Sequence, residues 1–144
     1  MIALGSDHGG FALKQAVKEY LDSKNIAYRD YGCYSEDSVD YPDMAKPACE
    51  AVVNGECEKA LLFCGTGIGI SMAANKIKGI RAACCSDYFS AKYTRLHNDA
   101  NALCLGGRVV GSGLALELIE VFLNTEFEGG RHSARIEKIH ALEK

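Results

Sequence analysis

The stretch LLFCGTGIGISMAANK, Leu61–Lys76, holds a complete change of local structure. An apolar run ends at Cys64, glycines stand at 65, 67 and 69, and a stretch with helical spacing then runs through Met72 to Lys76. This is the pattern of a buried parallel strand turning into a helix. It raises a chemical question. A tight turn needs glycine, but it does not need a thiol at its lip.

Working outward, the same alternation repeats along the chain. IALGS (Ile2–Ser6) reads as a short buried strand, followed by Leu13, Ala16, Val17, Tyr20 and Leu21 at helical spacing. IAYRDYG (Ile26–Gly32) reads as a second strand. The loop CYSEDSVDYPD leads to a helix that can hold Pro42 in its first turn and whose apolar stripe is Ala45, Ala48, Cys49, Val52 and Val53. KALLFC (Lys59–Cys64) is the third strand, IRAACC (Ile80–Cys85) the fourth and ALCLG (Ala102–Gly106) the fifth. Ser86 and Asp87 suit the cap of a helix ending near His97. Ala115, Leu118, Ile119 and Phe122 mark the helix after the fifth strand, and the basic segment RHSARIEKIHALEK closes the chain as a short helix.

Strands alternating with helices predict an α/β fold: a three-layer α/β/α sandwich on a five-stranded parallel sheet, Rossmann-like, in one domain spanning 1–144. An apolar fraction of 48% and a charged fraction of 24% are those of an ordinary globule. The net charge of -3 argues against nucleic acid or an acidic membrane as partner. The N-terminus MIALGSDHGG has neither a basic region nor a long apolar segment, so the chain reads as cytoplasmic. The seven cysteines include no CxxC pair, which speaks against a disulfide framework or a zinc site. Six of them read as small buried apolar residues, with Cys84 and Cys85 on opposite faces of their strand.

Ligands of such folds sit beyond the carboxyl ends of the strands. SDHGG, CGTGIGIS, LHNDAN and GGRVVG are therefore read together at one edge, with His8 and His97 both on it. Gly65, Gly67 and Gly69 do not make a dinucleotide fingerprint, because Ile70 stands where the last glycine would be, and no Gly-Lys-Ser/Thr triplet makes a P-loop. What remains is a turn whose amides can face an anion. Small residues here also suit close packing, so spacing alone leaves both readings open. Cys64 shifts the balance, since thiols at helix N-termini ionise more readily and can act as nucleophile or base. Thr66 adds a hydroxyl. Arg108, Arg131 and Arg135 are candidates for a phosphate, though charge alone equally suits a solvated tail.

GSDHGG, DYPD, CGTGIGISMAANK, GIRAA, RLHNDAN, GGRVVG and EGGRHSAR, in order along nearly the whole chain, resemble the ribose-5-phosphate isomerase B family. That family also includes the galactose-6-phosphate isomerase subunits. The resemblance implies aldose–ketose interconversion of a phosphosugar through an enediolate, with no metal and no cofactor, in a homodimer or dimer of dimers. It implies that Cys64 moves the proton between C2 and C1. Gly65, Thr66, Gly67, Ile68 and Gly69 would stabilise the enediolate oxygen. His97 would open the furanose ring, Asp7 would hold sugar hydroxyls, His8 would reach towards the phosphate and Asn98 would hydrogen-bond the substrate. Arg108, Arg131 and Arg135 would bind the phosphate or lie near it. It further implies a site shared by two chains, with His97, Asn98 and Arg108 reaching a neighbour's Cys64 turn. Some members use a glutamate as base, but the helix after this turn offers no carboxylate. The leading reading is the interconversion of D-ribose 5-phosphate and D-ribulose 5-phosphate. A hexose phosphate such as galactose 6-phosphate or allose 6-phosphate is the alternative substrate, and a non-catalytic phosphosugar-binding module is the alternative class.

Overall fold

The computed structural model describes residues 1–143. Five parallel strands form one sheet in the order β2-β1-β3-β5-β4. They are β1 (Ile2–Ser6), β2 (Tyr28–Asp30), β3 (Lys59–Cys64), β4 (Ala82–Cys84) and β5 (Ala102–Gly106). Between and after them come α1 (Phe11–Ser23), α2 (Tyr41–Val53), α3 (Ile68–Ala74), α4 (Tyr88–Asn98), α5 (Ser112–Asn124) and α6 (Arg131–His140).

Successive strand residues face opposite sides, and the sheet builds a core on each. Leu4, Leu61, Phe63, Leu103 and Leu105 pack under α1, α4 and α5, while Ala3, Ala60, Leu62, Cys64 and Cys104 pack under α2 and α3. The order reverses beside β1: β2 lies on one side of it and β3 on the other. A crevice therefore opens between the carboxyl ends of β1 and β3, where Asp7 and Cys64 emerge.

The central strands β1, β3 and β5 have the predicted bounds, and the edge strands are shorter than predicted. Ile26 cannot join β2 because its amide closes the end of α1 on the Leu21 carbonyl at 2.9 Å. Ile80 is held in a turn by Ile77 at 3.1 Å, so β4 begins only at Ala82. α3 stops at Ala74 instead of Lys76, because the next side chain does strand work. Asn75 Nδ2 donates to the Ala82 carbonyl at 2.9 Å and its Oδ1 accepts the Ala82 amide at 2.8 Å. That occupies the outer side of an edge strand. Cys85 is buried under α4 and Cys84 lies on the opposite face, as predicted, but Cys84, on the edge strand, is exposed rather than packed.

Lys14 is wholly buried and braces the loop that follows β2. Its Nζ donates to Asp30 Oδ1 at 2.7 Å and to the Cys33 carbonyl. Burial pushes the Asp30 carboxyl up, but the Lys14 ammonium, the Gly32 amide and Lys18 outweigh it and hold the group below its ordinary value. Removing one member of such a pair strands the other in a dry site. Lys14→Met is expected to lower unfolding free energy by about 3 kcal/mol in a urea titration. Asp30's contribution is fully present above the usual carboxylate range and is lost as pH falls through its lowered folded value. The variant's stability should therefore vary less with pH on the acid side than that of the parent.

Candidate active site

At the carboxyl edge, each strand end hands a side chain to the crevice. Asp7, just past β1, accepts the amides of Gly9 and Gly10 on Oδ1 at 2.9 and 3.2 Å and so fixes the single 3-10 turn His8–Gly10. His8 Nδ1 accepts the Val39 amide at 3.2 Å, which ties the ring to the loop that Lys14 braces. Cys64 ends β3, buried, and its Sγ accepts the Gly67 amide at 3.0 Å. Thr66 Oγ1 accepts the Ile68 amide at 3.1 Å, so its hydroxyl proton remains to be donated outward.

Gly67 makes this turn possible. Its φ is +81°, and a Cβ there would stand 2.9 Å from the carbonyl carbon of Leu105 and 3.2 Å from Cys84 Sγ. The turn also consumes two of its own amides, those of Gly67 and Ile68. Among the described residues no acceptor bonds the amides of Gly69 and Ile70 in the first turn of α3. The amides of Gly65 and Thr66 likewise bond no acceptor among the described residues, so the turn keeps donors free on both sides of Gly67 and Ile68.

Arg108 belongs to the same edge of the same chain. Its amide donates to the Gly65 carbonyl at 3.0 Å, and its Nη1 lies 3.0 Å from where a Gly65 Cβ would be. The expectation that Arg108 reaches a neighbour's turn is corrected here: the loop after β5 lays it on its own.

His97 and Asn98 lie elsewhere, which corrects their placement with His8. α4 leaves the carboxyl end of β4 and runs back to feed the amino end of β5, so its last residues lie at the amino edge. Cys64 pairs with Gly106 at one end of β5 and Ala60 with Ala102 at the other, while the Asn101 amide bonds the Arg81 carbonyl at the start of β4. One strand length, roughly 13 Å, separates the two edges. Arg131 and Arg135 join the amino edge on α6, exposed on the side chain's outer face, with the Glu128 amide anchored on the Leu96 carbonyl at 3.0 Å. The thirteen candidate residues therefore form two clusters on opposite edges of the sheet.

Two residues that sequence reasoning missed complete the amino-edge cluster. His97 Nε2 is 3.7 Å from Glu128 Oε2, and His132 Nε2 is 3.9 Å from Glu128 Oε1. These are ligand-type side chains, with donor atoms all within 4.8 Å of one another. The two imidazoles, however, are stacked 13° from parallel with centroids 4.1 Å apart. A metal must lie in the plane of each ring that binds it, and nearly parallel stacked planes share no such point. The arrangement suits ring packing and not chelation. The only sequence signal was the four-residue spacing of Glu128 and His132 beside the predicted helix.

Four other thiols are poorly suited to ionise. Burial pushes Cys49 up to about 12 and Cys85 up to about 11, and raises Cys104 well above the usual thiol range. Burial, and then the neighbouring Cys64, also raises Cys84. No helix among the described residues is long and apolar enough to cross a membrane.

Comparison with known proteins shows the family and the fold. A family model described as Ribose/Galactose Isomerase matches residues 2–139. Ribose-5-phosphate isomerase B of Escherichia coli is 46% identical over 143 residues, covering 99% of this chain and 96% of the relative. A D-erythrulose-4-phosphate isomerase of Pectobacterium atrosepticum is 41% identical over 140 residues, covering 96% and 91%. The solved structure of Clostridium thermocellum ribose-5-phosphate isomerase B superposes with a TM-score of 0.97 at 48% identity, covering 98% of this chain and 95% of that one.

Proposed function

The chain belongs to the ribose/galactose isomerase family and is an isomerase with that family's Rossmann-like fold, and from that premise we propose that it interconverts D-ribose 5-phosphate and D-ribulose 5-phosphate. The observation that carries the reading is the Cys64 sulfur, held by the Gly67 amide beside the free amides of Gly69 and Ile70.

A proton next to a carbonyl is only weakly acidic, so a base needs a partner that stabilises the oxyanion it creates. Cys64 Sγ takes the proton from C2 of the open-chain aldose, and the electron pair passes to the C1 carbonyl oxygen as an enediolate. The amides of the turn stabilise that oxygen, an arrangement worth several kcal/mol when water is excluded. The proton returns from Sγ to C1, and the Thr66 hydroxyl relays the O2 proton to O1. Asp7 keeps Oδ2 for the sugar hydroxyls. His97 opens the furanose ring by protonating its ring oxygen, with Asn98 beside it on the substrate. His8, Arg108, Arg131 and Arg135 bind the phosphate, whose binding energy positions the reacting carbons.

Because the two clusters lie on opposite edges, one chain cannot close this site alone. A twofold axis across the strands reverses their direction and sets a partner's carboxyl edge against this chain's amino edge. An open groove of about 1160 Å³ runs along β4 and α4 from Cys84 to His97, with Phe89 65% exposed on its wall. That groove is where a second copy docks in this reading.

The Pectobacterium relative favours a second substrate, the four-carbon ketose phosphate named for it. Assay of the purified protein against D-ribose 5-phosphate, D-erythrulose 4-phosphate, galactose 6-phosphate and allose 6-phosphate separates the possibilities. The pentose phosphate is expected to have the highest kcat/KM by about tenfold or more. A higher kcat/KM with any of the others would replace it.

A further inference from the structure

α4 carries Phe89, Tyr93 and His97 at four-residue spacing, which puts their rings in line on one helix face. Phe89 stacks on Tyr93 with centroids 4.1 Å apart, and Tyr93 meets the edge of His97 at 5.1 Å. The open face of His97 is then covered by His132 of α6. His132 is 5% exposed, and its buried Nε2 has no hydrogen-bond partner. Leaving such a nitrogen unpaired in a dry site is destabilising. An apolar side chain would cover α4 without that cost. The ring's contribution is therefore its flat face against His97.

Burial, then His97 and Arg131, and finally Arg135, lower the His132 imidazole against the pull of Glu128. Glu128 faces both Nε2 atoms. The groups beside His97 are thus Tyr93 on its own helix, Glu128 before α6 and His132 on α6, with Arg131 and Arg135 acting on His132.

We propose that His132 is a positioning residue for ring opening: its face fixes the plane of the His97 imidazole, and the Glu128 carboxylate fixes the ring's rotation within that plane. The proposal rests on His97 opening the ring, and its test separates the two ideas. D-ribose 5-phosphate is closed as a furanose in solution. D-ribulose 5-phosphate stays open, because the hydroxyl that would close its ring carries the phosphate. Proton chemistry at Cys64 can therefore be read without ring opening, as deuterium wash-in from D2O at C1 of D-ribulose 5-phosphate.

His132→Ala is expected to lower kcat for D-ribose 5-phosphate by about tenfold or more while wash-in stays within about twofold. His132→Phe, which keeps a flat face in place of the unpaired nitrogen, should recover most of the loss. Glu128→Gln, at a half-exposed carboxylate, should lower turnover and spare wash-in without disturbing the core. Turnover unchanged in His132→Ala overturns the proposal, as does wash-in falling in step with turnover or a phenylalanine variant as slow as the alanine one. His97→Ala is the reference. If it too keeps turnover of the furanose, the ring-opening role of His97 falls. If it loses turnover while His132→Ala does not, only the positioning role falls.

Discussion

Cys64→Ala is expected to lower kcat for aldose–ketose interconversion by about 10²–10⁴-fold and to leave phosphosugar affinity within a few-fold. The sulfur acts on carbon, and the groups proposed for the phosphate lie on other elements. Alanine fits the buried site with only one heavy atom lost, so the turn itself should persist. The thiols nearest this turn and in the core beneath it are poor replacements. Cys84 lies beside Gly67 but is raised by burial, and Cys49, Cys85 and Cys104 are raised further inside the core. The hydrogen bond from the Gly67 amide would be lost with the sulfur, so Cys64→Ser, which keeps an acceptor but not a group that ionises to a base near neutral pH, is the useful companion. It should be nearly as slow as the alanine variant. Steady-state assay with calorimetric binding of an unreactive phosphosugar analogue checks both halves of the expectation. Turnover of Cys64→Ala within tenfold of the parent would remove the thiol from the mechanism and return Cys64 to the buried apolar set.

What the sequence made legible follows from what is buried. Lys59–Cys64 and Ala102–Gly106 are covered on both faces, so their apolar runs end where the strands end. Tyr28–Asp30 and Ala82–Cys84 lie at the sheet edges, where local turns at Ile26 and Ile80 decide the bounds and leave no mark in composition. The same distinction runs through the site. Asp7, Cys64 and Arg108 follow strand ends directly, so reading strands located them at one edge. His97 sits in the last turn of a helix, and the edge it reaches depends on which way that helix runs back across the sheet. The block RLHNDAN precedes a strand and therefore lies at the amino edge, although its polar character resembles that of the residues beyond the carboxyl ends. His132 and Glu128 meet His97 only through the packing of α6 on α4, across more than thirty residues of chain, a distance no local periodicity spans.

That separation yields the sharpest test of the assembly. If one chain's Cys64 edge is completed by another's His97 edge, then Cys64→Ala and His97→Ala damage different halves of the same site. Each variant alone has every site spoiled and should be nearly inactive. Unfolded together and refolded at equal concentration, they pair at random, and about half of the dimers are mixed. In a mixed dimer one site combines the two damaged halves and the other combines the two intact ones. Activity should therefore return to roughly a quarter of the parent's value. A single chain holding both residues in one site predicts no recovery at any mixing ratio, because every site would lack one of them. The sheet geometry argues for recovery, since roughly a strand length of about 13 Å separates the edges within a chain and is not crossed by a side chain. Native mass spectrometry of two variants that differ by a mass tag shows whether mixed dimers have formed. Mixed dimers without activity would refute the shared site and require a movement of α4 and α6 large enough to bring His97 to its own chain's Cys64.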